Sequence, residues 1–220
     1  MAEVLRNLDW SVLTDMLLSV LPAVICITLH ELAHGLAAYW MGDPTAKRAG
    51  RLTLNPLKSL DIMGLIMLIT LRFGWAKPVP VNPRYSKNPR RFMAITAAAG
   101  PVCNILITCV FLFLYGLLVK PLYNSAVGYY ILQMIYITAY MSVGYAVFNL
   151  IPVPPLDGSK VLFSFLPPKA HAFVLRYERY GMIALLVLSF AGVLSGPVSA
   201  VRHAVFEFLF PIAEFAFGLL

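Results

Sequence analysis

The sequence predicts an all-α polytopic membrane protein. It has about five transmembrane helices, a re-entrant segment and a short membrane-associated β-hairpin, in a single domain over residues 1–220. Three observations carry that fold class. Of the 220 residues, 60% are hydrophobic and 12% charged, whereas a soluble domain averages about 25% charged. Apolar runs of spanning length recur along the chain. Most of the positive charge is gathered in a few short segments between those runs.

The elements follow in chain order. A span needs roughly 20 apolar residues, and three runs meet that clearly, at about 11–41, 92–119 and 127–151. The first is too long for the apolar region of a signal peptide, so it reads as a retained span. Two further spans are expected at about 180–194 and 197–219, with Gly196-Pro197 marking the turn between them. The run Leu60 to Leu71 is too short to cross and reads as re-entrant or interfacial. Between Trp75 and Pro83 the pattern Lys77-Pro78-Val79-Pro80-Val81 suits a hairpin or an edge strand, because proline cannot donate to a central ladder.

Charge sets the orientation. Residues 42–59, 72–91 and 152–180 hold 14 of the 17 lysines and arginines. If 60–71 dips in and returns, all three segments fall on one side, which should be the cytosol. The chain then runs with its N-terminus outside and its basic loops inside. The net charge of +7 reads as topology signal and lipid head-group contact rather than nucleic-acid binding.

Within the first span lies His30-Glu31-Leu32-Ala33-His34, an HExxH motif. Positions i and i+4 share one helix face, so both imidazoles can bind one zinc ion. Glu31 is then placed to act as general base on a water that the metal activates. Ionisable groups at membrane depth are costly and mark functional sites. His34 lies about 10 Å below the cytosolic end of the span at 1.5 Å per residue. Together these imply hydrolysis of peptide bonds within a membrane.

A catalytic zinc takes three protein ligands and leaves a fourth position open. The best candidate for the third is Asp157, in Asn149-Leu150-Ile151-Pro152-Val153-Pro154-Pro155-Leu156-Asp157-Gly158. The prolines end the third clear span, and Gly158 permits a close turn after the carboxylate. Cys26 shares a helix face with His30 but reads as a small buried residue, and like Cys103 and Cys109 it sits in an apolar run. An odd number of cysteines argues against a disulfide framework.

These motifs resemble the site-2 protease family of zinc metalloproteases, in its compact form without PDZ or CBS domains. The likeness runs from about Ile27 to Lys160. It includes Gly42-Asp43-Pro44, Gly50 to Pro56, Phe73 to Val81 and Gly100-Pro101-Val102-Cys103-Asn104. It implies His30, His34 and Asp157 as zinc ligands and Glu31 as catalytic acid/base, within a catalytic core at about 10–166 followed by C-terminal helices at about 170–220. It also implies that Asn149 touches substrate or the developing oxyanion. Asn104 is a second polar candidate, and an interhelical hydrogen bond is the plainer use of either asparagine. The expected partners are transmembrane protein substrates and the lipid bilayer, with oligomeric state open. The expected location is a bacterial plasma membrane, with the active site toward the cytosol. A zinc transporter and an inactive scaffold for transmembrane segments are the rival readings. Neither accounts for Glu31 beside His30 together with a distant Leu-Asp-Gly.

Overall fold

The computed structural model describes residues 10–61, 64, 76–167, 180, 181, 183–189 and 191–219. Three long helices correspond to the three clear apolar runs: α1 (Trp10–Trp40), α4 (Pro89–Leu122) and α5 (Ala126–Asn149). Among the described residues, these three are long and apolar enough to cross a membrane, through Val20–Trp40, Pro89–Leu122 and Ala126–Asn149. Between α1 and α4 lie two single-turn helices, α2 (Thr45–Arg48) and α3 (Pro56–Ser59), and a 3-10 turn at Pro83–Tyr85. The helix α6 (Asp157–Ser164) follows α5, and α7 (Ser195–Leu209) and α8 (Pro211–Gly218) close the chain.

Local chemistry sets the helix ends. After α1 the chain turns at Gly42, whose φ of 96° is open to glycine at little cost. There the Gly42 and Asp43 amides donate to Tyr39 and Ala38 carbonyls, satisfying the end of the helix. Helix α4 opens with Asn88 accepting from the Arg91 amide and with Pro89 in its first turn, where a missing N–H costs nothing. The Ser125 side chain caps α5 by accepting from the Gly128 amide. That hairpin is tight: a Cβ on Gly128 would lie 2.1 Å from the Leu122 carbonyl oxygen.

Helix α4 packs against both α1 and α5, and α1 also meets α5. The apolar core gathers Leu112, Ala139, Val143, Phe206 and Ala213. Small residues let backbones approach here. A Cβ on Gly116 of α4 would lie 2.1 Å from the Ala213 carbonyl oxygen and 2.8 Å from Ala216 Cβ in α8. Buried hydroxyls add interhelical bonds: Thr108 Oγ1 donates to the Ala139 carbonyl (3.2 Å) and Ser142 Oγ to the Asn104 carbonyl (2.8 Å). Such bonds contribute about 0.6 kcal/mol each on average in a bilayer.

The C-terminal elements differ from the sequence expectation. The turn falls at residues 191–194, where Gly192 adopts a φ of 73°. Gly196-Pro197 instead lies in the first turn of α7, where proline is tolerated. The run 197–219 is divided at Phe210, because Pro211 has no N–H to continue the ladder and opens a new helix. The expected re-entrant run 60–71 lies almost wholly outside the described residues, so it and the count of five spans rest on sequence. In the hairpin region the described residues hold one antiparallel bridge, Leu60 to Ala76, with the Lys77 amide donating to the Ser59 carbonyl (2.9 Å).

Candidate metal centre and active site

Helix periodicity puts His30 and His34 on one face of α1, and their rings meet edge to face with centroids 4.6 Å apart. The third group comes from the far side of the chain. Three prolines stop α5 from continuing, the chain folds back, and α6 begins at Asp157. The fold-back is close enough that a Cβ on Gly158 would lie 2.2 Å from the Leu150 carbonyl oxygen. Asp157 Oδ2 thereby lies 3.1 Å from both His30 Nε2 and His34 Nε2. All three side chains are almost fully buried. Lys160, one turn along α6, stands 3.4 Å from the other carboxylate oxygen.

The donor set fits a zinc ion. Tetrahedral coordination at about 2.0–2.1 Å requires ligand atoms about 3.3 Å apart, and the separations from Asp157 to each imidazole are 3.1 Å. His34 fits on chemical grounds too. Its Nδ1 lies 2.7 Å from the Thr96 carbonyl, which can only accept, so Nδ1 carries the proton. Its Nε2 then offers a lone pair beside a carboxylate oxygen, an arrangement that a cation between them satisfies. Gly100 makes the room: a Cβ there would lie 2.5 Å from His34 Cε1 and 2.6 Å from His30 Nε2.

Glu31 is not part of this donor cluster. Its Oε2 accepts the Val79 amide at 2.9 Å. Val79 belongs to an irregular strap, residues 76–82, laid across α1. Pro78 and Pro80 on either side have no N–H, so Val79 is the sole backbone donor of that triplet. The strap is seated at Gly35, one turn beyond Glu31, where a Cβ would press on Leu52 and on Val79 Cγ1. Arg51 Nη2 donates to the Lys77 carbonyl.

The far end of the strap is tied by Asp43. This carboxylate has no exposed surface. It accepts from the Asn82 amide (2.6 Å), the Thr45 amide (2.9 Å) and the Thr45 hydroxyl. Burial pushes its pKa up, but those hydrogen bonds and nearby Arg48 outweigh burial and hold it below the ordinary 3.8. A carboxylate lowered in the folded state stabilises above its unfolded pKa, and that stabilisation fades as pH falls through the folded value. Asp43→Asn leaves an amide N–H facing backbone donors and should cost about 1–3 kcal/mol. Melting of the purified chain in detergent should show a deficit for Asp43→Asn at pH 6 that narrows below about pH 4.

Of the two asparagines, Asn104 is drawn into the site, its Nδ2 lying 3.2 Å from His30 Nδ1. The side chain of Asn149 donates instead to the Tyr145 carbonyl of its own helix (3.0 Å) and has no bond to the histidines or Asp157. Sequence reading quoted Gly100 and Asp43 within motif matches but gave them no role, and it passed over the Thr96 carbonyl and the Val79 amide. Gly100 alone left a usable signal, since it stands four residues before Asn104 on the same face of α4.

The sequence model of Peptidase family M50 matches residues 118–192. YwhC of Bacillus subtilis (strain 168), named as a zinc metalloprotease, is 39% identical over 175 residues, covering 77% of this chain and 78% of that protein. Rip2 of Mycobacterium tuberculosis (strain H37Rv), also named as a zinc metalloprotease, is 29% identical over 191 residues, covering 84% of this chain and 71% of that protein. No solved structure matches the chain. With the matched motifs, the zinc-compatible donor set and this coverage of YwhC, the chain belongs to peptidase family M50, the zinc-dependent site-2 protease family.

Proposed function

We propose that this zinc metalloprotease cleaves transmembrane protein substrates within the bilayer. The observation that carries the reading is the placement of His30, Glu31 and His34 on a helix long and apolar enough to span, with Asp157 brought to both imidazoles. His30, His34 and Asp157 would hold the zinc. A zinc ion there would supply Lewis acidity, making water a better nucleophile and a peptide carbonyl more electrophilic. Glu31, steadied through Oε2 by the Val79 amide, takes the proton from the attacking water at its other oxygen. It then delivers that proton to the leaving amine. Asn149, at the end of α5, is the reading's candidate for substrate contact. A change of rotamer would free its amide from the Tyr145 carbonyl.

The basic loops support an orientation with the active-site side toward the cytosol, the one in which 60–71 dips in and returns. The relatives reported above are bacterial, which supports a bacterial plasma membrane. A transmembrane helix hides its carbonyls in its own hydrogen bonds, so the substrate must unwind locally before attack. In liposomes holding the purified protein and a single-span substrate, cleavage should stop on zinc chelation and return with added zinc. Replacing a helix-breaking Gly near the scissile bond with Leu should slow cleavage about 5-fold, and replacing a Pro there up to about 100-fold, as roughly 1 and 3 kcal/mol of helix propensity are restored. Cleavage that survives chelation would sink the metal mechanism, and an unchanged rate across the substrate series would sink the unwinding step.

A further inference from the structure

Asn104 has no exposed surface, and its place is fixed from the backbone. Its carbonyl accepts from Ser142 Oγ at 2.8 Å and lies 3.0 Å from Thr108 Oγ1, whose single proton it shares with the Ala139 carbonyl. Its amide faces His30 Nδ1, with Nδ2 at 3.2 Å, while Oδ1 is buried with no hydrogen-bond partner. A neutral imidazole carries one N–H. For His30 to offer Nε2 to a cation, as His34 does, its proton must sit on Nδ1 and needs an acceptor there. Asn104 is the side chain bonded to that nitrogen, and its acceptor atom is Oδ1. The two orientations of an amide have the same outline, and a half-turn about the terminal bond puts Oδ1 against Nδ1.

We propose that Asn104 is a positioning residue for His30: it accepts the Nδ1–H through Oδ1 and holds the ring in the tautomer whose Nε2 faces the metal. The proposal rests on His30 being a zinc ligand. It gives Asn104 a task its burial permits, in place of contact with substrate. Thr96 does the same for His34 through a main-chain carbonyl, so each imidazole is oriented from α4.

The test is zinc affinity, read by competition with a chromogenic chelator on the purified full-length chain in detergent. Asn104→Leu keeps the volume and removes the acceptor, and it should weaken zinc binding about 10–100-fold. Asn104→Asp keeps an acceptor, and it should bind zinc at least as tightly as the wild type. Leu binding as tightly as wild type would overturn the proposal, as would Asp losing as much as Leu. If the Leu variant does not fold, the Asp variant decides alone, since loss of zinc there contradicts an acceptor role. A wild type that binds no stoichiometric zinc would sink the ligand set itself, whereas an intact wild type with an equally tight Leu variant would sink only the role of Asn104.

Discussion

A glutamine at position 31 should leave zinc affinity unchanged and lower cleavage by about 10²–10⁴-fold, the usual contribution of a positioned acid/base. The two readouts separate because Glu31 is held by the strap and not by the metal set. Its Oε2 accepts the Val79 amide, and a glutamine carbonyl oxygen can accept the same bond. What glutamine cannot do is take a proton from water. Zinc content on the purified Glu31→Gln chain and cleavage of a single-span substrate in liposomes check both halves. Loss of zinc with the substitution would make Glu31 a ligand and contradict the assignment.

Gly100→Ala should cost zinc affinity about 100-fold, through displaced ligands, and cleavage with it. The added methyl would stand 2.5 Å from His34 Cε1 and 2.6 Å from His30 Cε1 and Nε2. Carbon atoms pack at about 3.5–4.0 Å, so one or both rings must move. The backbone does not resist the change, since alanine is favoured over glycine in a helix by about 1 kcal/mol. Helix content by circular dichroism should therefore persist while chelator competition reports a weakened site. Unchanged zinc affinity would mean that the rings adapt freely, and that Gly100 does not define the site's shape.

The parts of the site that a sequence can display are side chains at fixed spacing. His30 and His34 are legible because a helix puts i and i+4 together. Asp157 is legible because prolines, then Leu-Asp-Gly, mark where a span must end and turn back. Asp157 nonetheless lies 127 residues from His30, and its meeting with both imidazoles is a tertiary fact. The Thr96 carbonyl and the Val79 amide were hidden for a different reason. Every residue but proline carries both groups, so no residue type announces which one will be used.

The asparagines show how resemblance and geometry divide the work. Asn149 drew attention through its motif, yet its amide bonds within its own helix, whereas the less emphasised Asn104 touches His30. At the C-terminus, hydropathy alone joined 197–219 into one span. Pro211 was visible in the sequence, and its missing N–H is what divides that run. The long apolar helices were the most legible elements, with ends within three residues of the expected ones, because composition over many residues outweighs any local signal.

The most direct measurement of the central claim compares membrane-protein fragments from cells carrying the wild type or Glu31→Gln, by quantitative mapping of terminal peptides. New ends within transmembrane segments, present with the wild type and absent with Glu31→Gln, are the predicted result and would name the substrates. Identical fragments from both, with each protein well expressed, zinc-loaded and given a substrate cut in liposomes by the wild type alone, would confine the activity to the test tube. Identical fragments without any such cleavage in liposomes would contradict an intramembrane protease.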